Sequence, residues 1–355
     1  MINLSGEMTA LVMLGLVVVG VLLGYPLAFV IGGVTITIGI LLFGPKTASW
    51  ILYSRAWEIV LNPTLLAVPG FIFMGLMLGH SGIAEKMFAA LYVWLGGLRG
   101  GLAITTVVLG TILAATVGII GASVSALAII ALPAMIKRGY DRALASGAVC
   151  AGGTLGILIP PSVMLVVYGP MAVISVGKLF FAAFMPGFLL SALYIGYITV
   201  YSFMRPETAP AVPLEERAVP FLKKTTDLLL SLLPPLFLIL AVLGTIFAGI
   251  ATPTEAAAVG AVAATLLAVI YRHLNWKVLQ DVVLQTLIVS AMVLAIGAMG
   301  FAFVGIFLRA GGGDAVKEMI LSAPGGKWGI FGIIMLVIFI LGYFIDWLGI
   351  LFIVI

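Results

Sequence analysis

The sequence predicts an all-α polytopic membrane protein in which two inverted repeats carry re-entrant hairpins and broken helices. Composition is the first observation behind that expectation. Of 355 residues, 63% are hydrophobic and 8% are charged, and the mean hydropathy is +1.32. A soluble domain is about 25% charged, so this chain cannot build a water-facing shell. The second observation is a series of long apolar runs free of charge. The third is that glycine and proline cluster inside some of those runs, where a regular helix cannot continue. Together these exclude a cytosolic enzyme, a nucleic-acid binder and a disulfide-stapled scaffold. The net charge of +4 is too thin for a polyanion-binding surface, and the lone Cys150 leaves no disulfide or thiolate cluster within one chain.

Each element follows from the ruler of about 20 apolar residues per helical crossing. No Lys or Arg precedes Lys46, and the first apolar run is too long for a signal-peptide core, so a cleaved leader is not expected. Gly24-Tyr25-Pro26 divides that run into spans near 8–23 and 26–43, and a third span covers 61–79. Segment 82–98 suits a helix lying along the interface, with a connecting loop as the alternative. Basic residues orient the chain. Arg99, Lys137, Arg138 and Arg142 read as cytoplasmic, as does the polar stretch 205–227 with Arg205, Arg217, Lys223 and Lys224. Run 100–136 therefore enters and returns as a hairpin whose tip is 118–123. A broken crossing over 143–177 and a return over 179–204 complete the first repeat, 1–204.

The linker 205–227 is followed by a second repeat, 228–355. Its spans fall near 228–250, 253–272 and 284–308, then a polar stretch 309–327 and an apolar arm from 328. The repeats are related by an offset of 227 to 228 residues, a period long enough for whole-domain duplication. Pro26 and Gly33 fall on Pro253 and Gly260, and Gly97, Arg99 and Gly101 fall on Gly325, Lys327 and Gly329. At the hairpin tip, Gly118 and Gly121 fall on Asp346 and Gly349. An odd number of crossings before the linker inverts the second repeat, an arrangement of secondary transporters with a midplane site. Repeat logic also extends the second unit by roughly 75 residues past Ile355.

The most informative peptide is Gly152-Gly153-Thr154-Leu155-Gly156-Ile157-Leu158-Ile159-Pro160-Pro161-Ser162. Carbonyls freed at membrane depth are tolerated where they line a polar cavity, and such oxygens suit Na⁺. The competing explanation is a packing kink with glycine at a helix contact. The hairpin tip, with Gly118, Ser123 and Ser125, is the facing partner, and its hydroxyls can donate to an anion or accept a cation. Thr154 and Ser162 add hydroxyls on the broken crossing. Asp346 is a carboxylate within an apolar arm, which marks a site or a tip-structuring residue, with Gly349 beside it. Thr252-Pro253-Thr254-Glu255 reads as a well-made helix start. There is no phosphate-binding loop. Gly121-Ala122-Ser123-Val124-Ser125 lacks the last glycine of a nucleophile elbow. His80 and His273 have no second ligand at helical spacing.

These blocks resemble the large membrane subunit of tripartite ATP-independent periplasmic (TRAP) transporters, the DctM-like family. The likeness covers nearly the whole chain. It rests on Gly24-Tyr25-Pro26, Asn62-Pro63-Thr64-Leu65-Leu66-Ala67-Val68-Pro69, Gly139-Tyr140-Asp141, Gly156 through Ser162, Tyr168-Gly169 and Thr252-Pro253-Thr254-Glu255-Ala256-Ala257-Ala258. The resemblance implies an elevator-type transporter of the bacterial inner membrane, not an enzyme, that imports organic acids. It implies one Na⁺ site at Val117, Gly118 and Ser123 with Gly153, Gly156, Ile159 and Pro161. A second ion or substrate site would use Ser125, Thr154, Ser162, Asp346 and Gly349. The implied partners are a small four-helix DctQ-like membrane subunit and a periplasmic DctP-like binding protein. A channel or a membrane-embedded lipid-handling enzyme is the alternative, distinguished by conductance or by paired ionisable groups at depth.

Overall fold

A computed structural model describes residues 5–118, 120–321 and 324–354. Among the described residues all regular secondary structure is helical, with no strands. In chain order the helices are α1 (Gly6–Leu22), α2 (Leu27–Leu61), α3 (Ala67–Gly79), α4 (Ile83–Leu95), α5 (Gly101–Val117), α6 (Ile120–Lys137), α7 (Arg142–Thr154) and α8 (Val163–Met171). They continue as α9 (Val176–Met204), α10 (Phe221–Phe247), α11 (Pro253–Ile270), α12 (Trp276–Arg309), α13 (Gly312–Leu321), α14 (Gly326–Leu341) and α15 (Trp347–Val354). Among the described residues, α2, α6, α9, α10, α11 and α12 are each long and apolar enough to cross a bilayer. The segment Pro63–Gly79 bends by 56° into α4.

Local chemistry sets the boundaries. Ser5 caps α1 by accepting the Met8 N–H. Thr252 and Glu255 form a reciprocal capping box at α11, with Pro253 in the first turn, where its missing N–H costs nothing. Asp141 caps α7 by accepting from Leu144 N–H. Helix α2 runs well past the expected end at residue 43. Gly44 breaks its conformation (φ 77°), and Pro45 then restarts it. Likewise α10 begins at Phe221, inside the polar stretch expected to be linker, because Pro220 fixes an extended residue immediately before it.

Two compact units emerge, one formed by residues 1–62 with 289–355 and the other by 63–288. In the first, Met13, Val17, Val30, Ile31, Ile38, Ile51, Phe303 and Ile306 form the core. Helix α1 approaches α13, and a Cβ on Gly6 would stand 3.0 Å from the Gly311 carbonyl carbon. In the second, α3 packs on α11, α4 on α10, and α7 against both α5 and α6.

Gly44 and Arg272 both adopt positive φ. Gly32 and Gly260 each back onto a methionine sulfur, of Met299 and Met74 respectively. Lipid is as apolar as leucine, so such helices associate through close packing at small residues. The exposed row Phe181, Met185, Phe188 and Leu189 on α9 is an ordinary apolar face of a membrane helix.

Candidate functional site

The candidate site lies within residues 63–288, where the hairpin α5–α6 meets the break after α7. Helix α5 ends at Val117, and Gly118 reverses the chain in the left-handed region (φ 64°, ψ 6°). Glycine enters that region without the penalty of roughly 1–2 kcal/mol that a Cβ brings. Ile119, at the expected tip, lies outside the described residues.

Three glycines let the elements approach. A Cβ on Gly110 would sit 2.7 Å from the Gly152 carbonyl oxygen, which brings α5 against α7. One on Gly152 would sit 3.1 Å from the Thr106 carbonyl oxygen. One on Gly153 would lie 2.9 Å from both Cα and N of Val124, which brings α7 against α6. Buttressing comes from α9. Thr111 Oγ1 and Ser191 Oγ lie 2.6 Å apart, and Gly187 leaves room for Ile159.

Beyond Thr154 the backbone tightens into a 3-10 turn over Leu155–Ile157, and α8 starts only at Val163. Proline removes the hydrogen bond to the carbonyl four residues earlier, so Pro160 and Pro161 strip the usual donors from Gly156 and Ile157. The Ser162 hydroxyl, 2.5 Å away, donates to the Ile157 carbonyl, while Leu155 accepts from both Leu158 and Ile159 N–H groups. Among the described residues no backbone N–H donates to the carbonyls of Gly156, Leu158, Ile159, Pro160 or Pro161.

The hairpin tip supplies the facing side. A Cβ on Gly118 would lie 3.2 Å from the Pro161 carbonyl oxygen and 3.5 Å from Val163 N. Ser123 is fully buried, and its Oγ has no hydrogen-bond partner among the described residues. An orphaned buried hydroxyl costs about 1–3 kcal/mol, which a ligand would recover. The chemistry here is that of hard oxygen donors: peptide carbonyls and one hydroxyl, with no carboxylate. That donor set fits a monovalent alkali cation.

The expected residues divide into groups. Gly118 meets Pro161, and Gly153 meets Val124, the neighbour of Ser123. Gly156 and Ile159 lie on the break itself, with the Ile159 side chain against Gly187 of α9, and Val117 stands at the end of α5. Ser162 is buried, but its hydroxyl is committed to Ile157. Thr154 and Ser125 are exposed, and Thr154 donates to the Ala151 carbonyl at 2.9 Å. Asp346 and Gly349 belong to the other unit, where Asp346 is exposed just before α15. Gly349 is buried, and a Cβ there would meet Leu27 at 2.9 Å. The carbonyls of Leu158 and Pro160 were not among the expected ligands, although the adjacent prolines already signal them. Nor did the sequence reveal the Thr111–Ser191 contact, which joins residues far apart in the chain.

The base of the hairpin is held separately. Val212 N–H donates to the Gly96 carbonyl, Gly100 N–H to Ala209, and Asp141 N–H to Thr208. Arg138 pairs with Glu216, which also accepts from Tyr92 Oη at 3.0 Å. Leu102 N–H, an unpaired donor of the first turn of α5, donates to Tyr140 Oη at 3.2 Å. Burial pushes the Tyr140 phenol up to about 12, outweighing the Leu102 bond that favours ionisation.

A helical hairpin closing on an interrupted helix, within a set of bilayer-length apolar helices, defines a multi-pass membrane transport protein. The family model described as "Tripartite ATP-independent periplasmic transporter, DctM component" matches residues 14–355. The chain belongs to that family and is therefore a permease component of the bacterial inner membrane rather than an enzyme. It is 32% identical over 318 residues to the C4-dicarboxylate TRAP transporter large permease protein DctM of Pseudomonas aeruginosa, covering 88% of this chain and 72% of that protein. It is 30% identical over 335 residues to the isethionate TRAP transporter permease protein DctMQ of Oleidesulfovibrio alaskensis, covering 92% and 52%. Identity to the ectoine TRAP transporter large permease protein TeaC of Halomonas elongata is 27% over 326 residues, covering 92% and 75%.

Proposed function

We propose that this permease couples import of an organic acid to inward movement of Na⁺, with the cation held between the hairpin tip and the break after α7. The observation that carries the reading is the coincidence of the unpartnered Ser123 hydroxyl, the carbonyls of Gly156 and of Leu158 through Pro161 that receive no backbone N–H, and the approach of Gly118 to Pro161. Carbonyl and hydroxyl oxygens replace the hydration shell of a small cation, and the break keeps them unpaired by removing two backbone donors. Gly118 and Ser123 stand on the hairpin, so an ion bridging them to the carbonyls draws the tip onto the break.

The relatives named for C4-dicarboxylates support a carboxylate as the substrate class. A carboxylate beside the bound cation would be neutralised in part by it, so ion and substrate would favour each other's binding. Ser125 and Thr154, both exposed, are the hydroxyls we assign to the substrate side, with Asp346 and Gly349 belonging to a second ion site. Movement would follow the elevator scheme, in which a domain bearing the hairpin carries ion and substrate across. A DctQ-like membrane subunit and a DctP-like periplasmic binding protein complete the importer; the DctMQ name of one relative supports the first.

Reconstituted proteoliposomes test this reading. Uptake of a four-carbon dicarboxylate should require a sodium gradient, the small subunit and the binding protein together. Equal uptake with choline replacing sodium would overturn the coupling. Single-channel current would overturn carrier function altogether.

A further inference from the structure

A cavity away from the hairpin lies between α4, the start of α10 and the end of α11. It measures about 490 Å³ and is lined by Lys86, Lys224, Asp227 and Tyr271 together with the apolar Ala89 and Leu230. We propose that it seats the head group of an anionic phospholipid, phosphatidylglycerol, with the phosphodiester between the two lysines. This proposal rests on neither the sodium reading nor the substrate reading.

Both lysines are held toward the cavity wall by aromatic faces. Lys86 Nζ lies 4.2 Å from the centroid of Tyr271, and Lys224 Nζ lies 5.8 Å from that of Trp94. Neither lysine makes an ion pair among the described residues, although Asp227 borders the same cavity. Two cations and one carboxylate leave a net charge of +1. A single phosphodiester cancels it, whereas a zwitterionic head group leaves it standing. Asp227 remains as an acceptor for the glycerol hydroxyls that distinguish phosphatidylglycerol from phosphatidic acid.

Position argues for lipid over a soluble phosphate. Lys86 stands near the start of α4 and Trp94 near its end, and they meet the end of α11 and the start of α10 respectively. Helix α10 starts within the polar stretch 205–227 that carries Arg205, Arg217, Lys223 and Lys224, so this is the side that the positive-inside rule assigns to the cytoplasm. Trp94 and Tyr271 are the residue types of the membrane–water boundary. Charged and apolar residues lining one cavity suit the junction between head group and acyl chain, and basic pockets between membrane helices bind such head groups.

The test uses the permease assembled with its partner subunit in nanodiscs containing phosphatidylglycerol and phosphatidylethanolamine in equal amounts. After release into detergent, native mass spectrometry should find phosphatidylglycerol retained at least roughly fivefold over phosphatidylethanolamine, the factor one lysine gives near an anionic surface. Lys86→Gln with Lys224→Gln should bring the ratio to parity, while Lys178→Gln leaves it unchanged. If the double variant fails to fold, amine labelling of the wild type decides. Lys86 and Lys224 should be protected in phosphatidylglycerol nanodiscs but not in phosphatidylethanolamine ones or with inorganic phosphate added. Equal retention of both lipids, or a preference that survives the double substitution, would overturn the proposal. Protection by the partner subunit irrespective of lipid would overturn it too.

Discussion

Replacing Ser123 by alanine separates a ligand from a packing residue, because the two roles predict opposite signs. The hydroxyl is fully buried and unpartnered, which costs about 1–3 kcal/mol when nothing binds it. Without sodium, Ser123→Ala should therefore leave the protein as stable as the wild type or more so. With sodium the expectation reverses. A ligand present at about a hundred times its Kd stabilises by about 2.7 kcal/mol. If losing one oxygen weakens the site tenfold, the same sodium concentration adds only about 1.4 kcal/mol. The assay is thermal unfolding of purified protein in sodium chloride against choline chloride at equal ionic strength. Equal destabilisation in both salts, or an undiminished sodium increment, would refute the reasoning.

Other expectations follow from the same geometry. Gly118→Ala places a Cβ 3.2 Å from the Pro161 oxygen in a left-handed residue, at a cost of roughly 1–2 kcal/mol. Relieved by withdrawal of the tip, that cost should raise the sodium concentration for half-maximal uptake about 5- to 30-fold. Gly153→Ala sets a methyl against the Val124 backbone and should destabilise by about 1–3 kcal/mol, visible as a lower unfolding temperature in both salts. Tyr140 should ionise in a late phase of an absorbance titration. Its pKa is raised from the unfolded value near 10 to about 12, so its contribution to stability is complete below pH 10 and lost as the pH climbs through 12. Tyr140→Phe should remove that late phase and orphan the Leu102 N–H, costing about 1–3 kcal/mol.

Much of this site could be read from residue order alone, since the signals were local. Pro160 and Pro161 cannot donate backbone hydrogen bonds wherever they sit, and Gly118 at a reversal of an apolar run announces a tight turn. The capping box at Thr252 was legible for the same reason. Helix limits were less so. The second span was expected to end near residue 43, yet proline at 45 is well suited to the first turn of a continuing segment, so α2 extends to Leu61. The polar residues after 309 suggested a connection, but α13 forms there and packs on α1. The clasp of 208–216 over the hairpin base was invisible because it rests on backbone hydrogen bonds, which every residue carries, and on Glu216 meeting Arg138 and Tyr92 far away in the chain. The pairing of Thr111 with Ser191 depends on two helices meeting, which no local pattern records.

Sodium binding at bare peptide oxygens can be tested by locating the ion. Thallous ion, a heavy stand-in for an alkali cation, should give an anomalous peak ringed by Gly118, Ser123 and the carbonyls between Gly156 and Pro161. Excess sodium should erase it, and Ser123→Ala should weaken it. A peak elsewhere, or none at this hairpin while sodium still drives uptake, would contradict the account.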